Sequence, residues 1–220
     1  MISLNPTPSN QPLEPGTNLI AHLAASPRPA IIHYAADGRT ELSGRVAINW
    51  ATKMTHLIDS YGIAAPDQLL VSLPVTWRSL ALALGVAWTG TECSDDPAEA
   101  AGILTDQPEH YLSAAAELFV THCDEVDAAL INVDDEVLSH ADQALLPVPD
   151  IIGNAQTTEQ PSQHVKTHPS GVVIRALEQR LDAATWWAIV DAWRRTQPVV
   201  LVEDINDAQL ARIITTERLG

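Results

Sequence analysis

Cysteine is nearly missing from this chain of 220 residues: Cys93 and Cys123 are the only two, and they stand far apart in apolar surroundings. Two cysteines so spaced are neither a disulfide framework nor a zinc knuckle, so both read as reduced core thiols of a cytoplasmic protein. Positive charge is also scarce. Twelve Lys and Arg face 28 Asp and Glu, for a formal net charge of -16, and no Lys or Arg occurs between Arg78 and Lys166. The same interval holds sixteen carboxylates, from Glu92 to Glu159. Such a surface repels a phosphate backbone and excludes nucleic acid as a partner. It reads as a solvated acidic face, with a dock for a basic partner as the alternative. Long hydrophobic runs are lacking as well. Pro, Gly or acidic residues break every apolar stretch before the roughly 20 residues a bilayer crossing needs, so no membrane segment is expected. The N-terminus has neither a basic n-region nor an apolar h-region, and no secretion signal is expected. The ten glycines are scattered, so no segment forms a Walker or dinucleotide turn.

The residues present, 46% of them hydrophobic, suffice for one sizeable core. Residues 1–16 form a polar, Pro-rich arm. A single α/β domain is expected over 17–220, with one lobe at 17–146, a linker or loop at 147–170, and a second lobe at 171–220. Thr17 is placed to cap a short helix that runs to Ser26. Pro29 to Tyr34, the turn Asp37-Gly38 and Arg39 to Leu42 read as a β-hairpin. Ser43 then caps a long helix, with Val46, Trp50, Met54, Leu57, Ile58 and Tyr61 at steps of three and four and Gly62 at its end. Gln68 to Pro74 is an apolar run of the kind that forms a buried parallel strand, and a helix near Trp77 to Thr89 follows. Thr91 to Ser94, a small helix near Ala98, Gly102 to Thr105, Glu109 to Ala116 and Glu117 to Thr121 continue the alternation. Asp124 to Leu145 is acidic and helical in part. Gly171 to Leu177, Asp182 to Arg195, Pro198 to Glu203 and Asn206 to Arg218 read as strand, helix, strand and helix. The expected fold is α/β: doubly wound, mainly parallel sheets flanked by helices, built from two βα lobes. The strand from Leu69 with its helix ending at Trp88 parallels the strand from Val172 with its helix ending at Trp193, although any two βα units share this outline.

Several of these residues carry a resemblance. Pro29-Ala-Ile-Ile-His-Tyr34, Asp37-Gly-Arg-Thr-Glu-Leu-Ser43, the helix with Asn49-Trp50-Ala-Thr-Lys53, Gly62, Asp67 and Leu69 to Pro74 look like the opening of the AMP-binding, acyl-adenylate-forming enzymes. More closely, with Trp77 and the ending Ala208 to Arg212 and Glu217-Arg218, the chain is similar to short acyl-CoA-synthetase-like proteins that keep only this N-terminal region. The likeness covers 19–105 and 171–218 and is poor over 106–170. It implies the N-terminal fold of those enzymes. Their activity rests on a Ser/Thr/Gly-rich phosphate loop ending in Pro-Lys, an acidic residue on the ribose, and a lysine from a small C-terminal domain. This sequence shows no such loop up to Gly220, and its two lysines, Lys53 in the first long helix and Lys166 in the linker, are not placed for that role. The resemblance therefore implies a truncated, non-catalytic relative that binds a small molecule or a protein partner. The alternative is half of a split acyl-CoA-synthetase-like enzyme, completed by another chain. No catalytic residue, cofactor or metal is assigned, and the small-molecule ligand is not identified.

The remaining chemistry is sparse. His164 and His168 have a metal-clamping separation only if helical, and Pro169 opposes a helix there. His122-Cys123-Asp124 sets two ligand types side by side without a second pair to complete a tetrahedron. No serine has nucleophile-elbow glycines. Asp134, Asp135 and Glu136 form an acidic run best read as solvated. Trp186 and Trp187 are consecutive, so with a step of about 100° per residue they cannot both centre one buried stripe. One of them is a candidate for an interface, in a homo-oligomer or with a protein partner.

Overall fold

The computed structural model describes residues 18–143, 164–176 and 179–220. Asn18, whose side chain accepts the Ala21 amide, caps α1 (Leu19–Ala25). The expected cap Thr17 lies outside the described residues. The hairpin forms as its sequence requires: β1 (Pro29–Ala35) turns at Gly38, whose φ of 136° suits glycine, into β2 (Gly38–Ser43). Ser43 caps α2 (Gly44–Ser60), and Gly62, with φ 74°, follows its end. The chain continues through β3 (Gln68–Ser72), α3 (Trp77–Trp88), β4 (Glu92–Cys93), β5 (Gly102–Thr105), β6 (Glu117–Val120), β7 (Ile131–Asn132) and the one-turn α4 (Val133–Glu136). After the undescribed residues come β8 (Val165–His168), β9 (Gly171–Arg175), α5 (Ala183–Arg194), β10 (Val199–Val202) and α6 (Asp207–Thr216).

Two five-stranded sheets result. One has the order β2-β1-β10-β9-β8, with β1, β10 and β9 parallel and an antiparallel strand at each edge. The other, β4-β3-β5-β6-β7, is parallel throughout. The fold is thus α/β with two mainly parallel sheets. The sheets do not follow the sequence lobes, because the hairpin of the first lobe pairs through β1 with β10 of the second.

The helix pair α2–α3 lies between the sheets and serves both. Ala47, Ile48, Ala51, Leu80, Leu84 and Trp88 join a core with Ile31, Ile174, Val199 and Leu201. Met54, Leu57, Ile58, Leu82 and Val86 join another with Leu69, Leu104 and Phe119. Strand alternation sends the next residues the other way. Ile32, Val173, Val200 and Val202 meet Leu210 and Ile213 of α6, while Leu70, Ile103 and Leu118 meet Ala100, Tyr111 and Leu130. Trp88 and Trp193, which end the two similar βα units, are buried in the same core.

Connections rather than helices cover that last face, contrary to expectation. Near Ala98 the chain turns: Asp96 accepts the Ala98 amide and Ser94 bonds Asp96. Over 109–116 only the 3-10 turn Pro108–His110 forms. Short segments with Asp, Ser and Pro offer the backbone local bonds that compete with a costly helix nucleus. The acidic stretch from Asp124 is helical in part, as expected, with β7 leading into α4 and the 3-10 turn Val137–Ser139. Within 147–170, residues 147–163 lie outside the described residues, but Val165–His168 is an edge strand and not a loop, because it pairs antiparallel with β9. The expected end of β9 at Leu177 also lies outside them.

A polar clasp fastens the chain's last turn to the hairpin. Glu217 accepts from Arg39 Nε at 3.0 Å and from the Tyr34 hydroxyl at 2.5 Å. Burial alone would raise the Glu217 pKa, but the Arg39 and Tyr34 bonds outweigh it and hold the carboxyl below its ordinary 4.5. A depressed folded-state pKa adds stability that is present above the unfolded value and lost as pH falls through the folded one. Thermal melts are therefore expected to show a loss of Tm below pH 4.5 that is smaller in Glu217→Gln, whose Tm at pH 7 is already lower; equal acid slopes in both proteins would contradict the clasp.

Candidate functional site

The carboxyl ends of the two sets of parallel strands come together. The Val75 amide donates to the Gln179 carbonyl at 3.0 Å and the Leu181 amide to the Leu73 carbonyl at 2.9 Å, stitching the end of β3 to the segment before α5. Arg180 reinforces the seam: its Nη2 donates to the Ser72 carbonyl and to Ser72 Oγ at 2.8 Å, and pairs with Asp106 at 2.8 Å.

Beside this seam opens a cleft of about 220 Å³, lined by His33, Ala35, Asp37, Thr40, Thr76, Trp77, Arg78 and His122. His33 and Ala35 end β1, Asp37 and Thr40 belong to the hairpin, Thr76 to Arg78 begin α3, and His122 follows β6. Crevices beyond the carboxyl ends of parallel strands are where open α/β sheets take ligands.

Each wall is held in place. Thr76 caps α3 by accepting the Ser79 amide at 3.1 Å. The guanidinium of Arg78 lies 5.4 Å from the Trp77 ring and 5.9 Å from Trp50, and its Nη1 donates to Asp134 at 3.1 Å. Asp134 also accepts from Thr121 Oγ1 at 2.8 Å and from the His122 amide at 3.1 Å. This last bond helps hold His122 in a left-handed conformation, φ 61°. The ring Nε2 of His122 then meets Ser79 Oγ at 3.0 Å. Burial, and next the Arg78 charge, lower the His122 pKa against the opposing pull of Asp134 and Asp106, so the ring is neutral at pH 7. On the facing wall His33, buried to 5% exposure, binds Glu203 through Nε2 at 2.8 Å.

A serine next to a histidine suggests nucleophilic catalysis, but Ser79 is fully buried and cannot present its hydroxyl to a substrate. The arrangement can bind and orient a small polar molecule. No group of three or more His, Cys, Asp and Glu with metal-holding geometry occurs among the described residues. His168 ends β8, which begins just after His164, and four residues of extended chain span about 13 Å, too far for one ion. No helix among the described residues is long and apolar enough to cross a membrane.

Of the residues singled out from sequence, His122 lines the cleft and Asp134, instead of being merely solvated, anchors its wall, whereas the tryptophans and lysines lie elsewhere. Trp186 and Trp187 are both half-buried on α5, packed against the core, with Trp186 edge-on to Trp193 at 6.1 Å. Lys53 is clasped by Asp142 at 2.8 Å and by the carbonyls of Leu138 and His140, which pins the segment after α4 to α2. Lys166 lies on the edge strand β8. The cleft itself was not foreseen, although two signals existed: Arg78 is the last cation before the long acidic interval, and His33 interrupts an apolar strand.

No family model matches the chain, and no curated protein matches it in sequence. Solved structures do. An acyl-CoA synthetase from Brucella canis superposes on 92% of this chain and 46% of its own, with TM-score 0.63 and 12% identity. The O-succinylbenzoate coenzyme A synthetase of Bacillus subtilis, solved in complex with AMP, covers 96% of this chain and 60% of its own at TM-score 0.60 and 12% identity. An amide bond synthetase from Marinactinospora thermotolerans covers 92% and 47% at TM-score 0.55 and 12% identity. This chain thus spans about half the length of the structures it matches, and at such identity the likeness establishes the fold: it is built as the corresponding part of an acyl-CoA-synthetase-like, adenylate-forming enzyme is built.

Proposed function

We propose that this chain is a non-catalytic relative of adenylate-forming enzymes that holds a small molecule in the cleft between its sheets. The observation that carries the reading is the convergence of β1, the hairpin, the start of α3 and the residue after β6 on one polar cavity at the carboxyl ends of parallel strands. Its volume of about 220 Å³ is below the roughly 300–1,000 Å³ of a drug-sized site, which favours a ligand smaller than a nucleotide.

Thermal-shift titration with ATP, AMP, CoA and a panel of small carboxylic acids tests this. A small acid alone at about 100 times its Kd is expected to stabilise the chain by about 2.7 kcal/mol. Stabilisation by ATP or CoA only would count against the reading.

A second reading, that the chain is half of a split enzyme completed by another protein, draws on its match to 46–60% of the solved chains. In that case the half-buried Trp186 and Trp187 are the aromatic surface through which a partner would pack.

A further inference from the structure

We propose that the outer edge of β2 pairs antiparallel with the same strand of a second copy of this chain, about a two-fold axis at Thr40, so that the partner's Thr40 extends the wall of the cleft. The inference goes beyond the reading of the cleft as a binding site, and its test needs no ligand.

The backbone decides which groups are on offer. In β1 the Tyr34 carbonyl accepts the Glu203 amide at 2.9 Å, so Tyr34 turns its backbone groups toward β10 and away from β2. Its cross-strand neighbour Arg39, and by alternation Glu41 opposite Ile32, therefore turn theirs away from β1 and out of the sheet. Thr40, opposite His33, spends its groups on β1. Gly38 to Glu41 are exposed, and the outward N–H and C=O groups of Arg39 and Glu41 have no partner among the described residues. A strand edge in this state is a template for another strand.

Register and charge identify the occupant. Antiparallel pairing of two identical strands centred on Thr40 sets Arg39 opposite the partner's Glu41 and Glu41 opposite the partner's Arg39. These are the same residues whose outward groups exchange backbone bonds, and Thr40 falls at the non-hydrogen-bonded position between them. One register thus satisfies backbone and side chains together. Arg39 is already ordered for the contact: its Nε donates to Glu217 at 3.0 Å and its guanidinium lies 5.8 Å from the Tyr34 ring. The opposite edge of the sheet is guarded, since β8 is only four residues long and exposes Lys166, a cation that blocks edge pairing. β2 has six residues, and its charges match their own two-fold images.

The pairing bears on the cleft. Thr40 and His33 are cross-strand neighbours on the face that lines it, while Arg39 lies with Tyr34 and Glu217 on the other face. A second β2 in this register continues the lining face past Thr40, and the hydroxyl of the partner's Thr40 becomes a further polar group on that wall.

Sedimentation velocity of the full chain over a concentration series, joined to cysteine cross-linking, tests this. Opposed Cα atoms at a non-hydrogen-bonded position are about 4.5 Å apart, within disulfide reach, so mild oxidation of Thr40→Cys is expected to give a covalent dimer that the wild-type chain does not give. Glu41→Arg sets like charges face to face and is expected to weaken the dimer about tenfold, as is Arg39→Glu. An equimolar mixture of those two variants is expected to dimerise again, because the arginine edge of one matches the glutamate edge of the other. If Arg39→Glu fails to fold for want of its bond to Glu217, the Thr40→Cys cross-link and the Glu41→Arg loss still decide. A dimer unchanged in Glu41→Arg, or one that Thr40→Cys does not cross-link, would place the interface elsewhere and overturn the proposal. A chain that stays monomeric at every concentration would overturn it too, and protection of its Arg39 and Glu41 amides from hydrogen exchange would assign the edge to another segment of the same chain.

Discussion

Trp193→Ala is expected to cost about 3–5 kcal/mol, the range for emptying a large aromatic site in a closed core. The ring is 1% exposed, and its Nε1 donates to the Ala30 carbonyl at 3.0 Å. Truncation therefore leaves a cavity and also strips a strand carbonyl of its partner. The cavity would lie where α5 meets β1, at the junction between the N-terminal hairpin and the last βαβ unit. A chain of this size loses roughly 2–4 °C of Tm per kcal/mol, so a drop of about 10 °C is expected in a thermal melt. A change under 1 kcal/mol in denaturant titration would mean that the hairpin does not depend on this contact.

Gly85→Val is expected to be nearly as costly, for the opposite reason. A Cβ at Gly85 would stand 2.6 Å from the Ala51 carbonyl oxygen and 2.6 Å from Met54 Cβ. One of these atoms is backbone, so relief requires the α2 and α3 axes to separate. Thr55 cross-links the same place, its hydroxyl bonding the carbonyls of Ala51 and Gly85. Overpacking of this kind costs about 1–3 kcal/mol and occasionally more. Because α2–α3 feeds the cores of both sheets, valine is expected at the upper end. Alanine gains up to about 1 kcal/mol of helix propensity and so measures the packing cost against a known offset. Unchanged stability in Gly85→Ala would show that the helices can part at that level without loss.

These two positions also show what the sequence made legible. Local signals were readable: Ser43 as a cap, Gly62 past the end of α2, the apolar run of β3, and the strand-helix-strand-helix close of the chain. Those depend on neighbours within a few residues. The pairing of β1 with β10 depends on segments at opposite ends of the chain, and no local pattern encodes it. β8 was hidden because Val165–His168 is a four-residue edge strand with both flanks polar. The need for glycine at 85 was invisible too, since it arises from a helix crossing and not from a turn.

The cleft escaped for a related reason. His33, Asp37, Thr76, Arg78 and His122 come from four segments and share no spacing, so only the folded chain brings them together. Sequence reading weighed His122 only as a metal ligand beside Cys123, and pointed otherwise to adjacent pairs such as Trp186-Trp187. The resemblance seen in the hairpin and the first long helix led to the right fold, because those elements form the scaffold. It offered no view of a site that lies at the strand ends.

Calorimetric titration of the full chain with a small carboxylic acid, with and without ATP, tests the central claim most directly. The account expects saturable binding that ATP leaves unchanged, with no pyrophosphate released. Binding that appears only with ATP, or ATP-dependent formation of an acyl-adenylate by this chain alone, would contradict it.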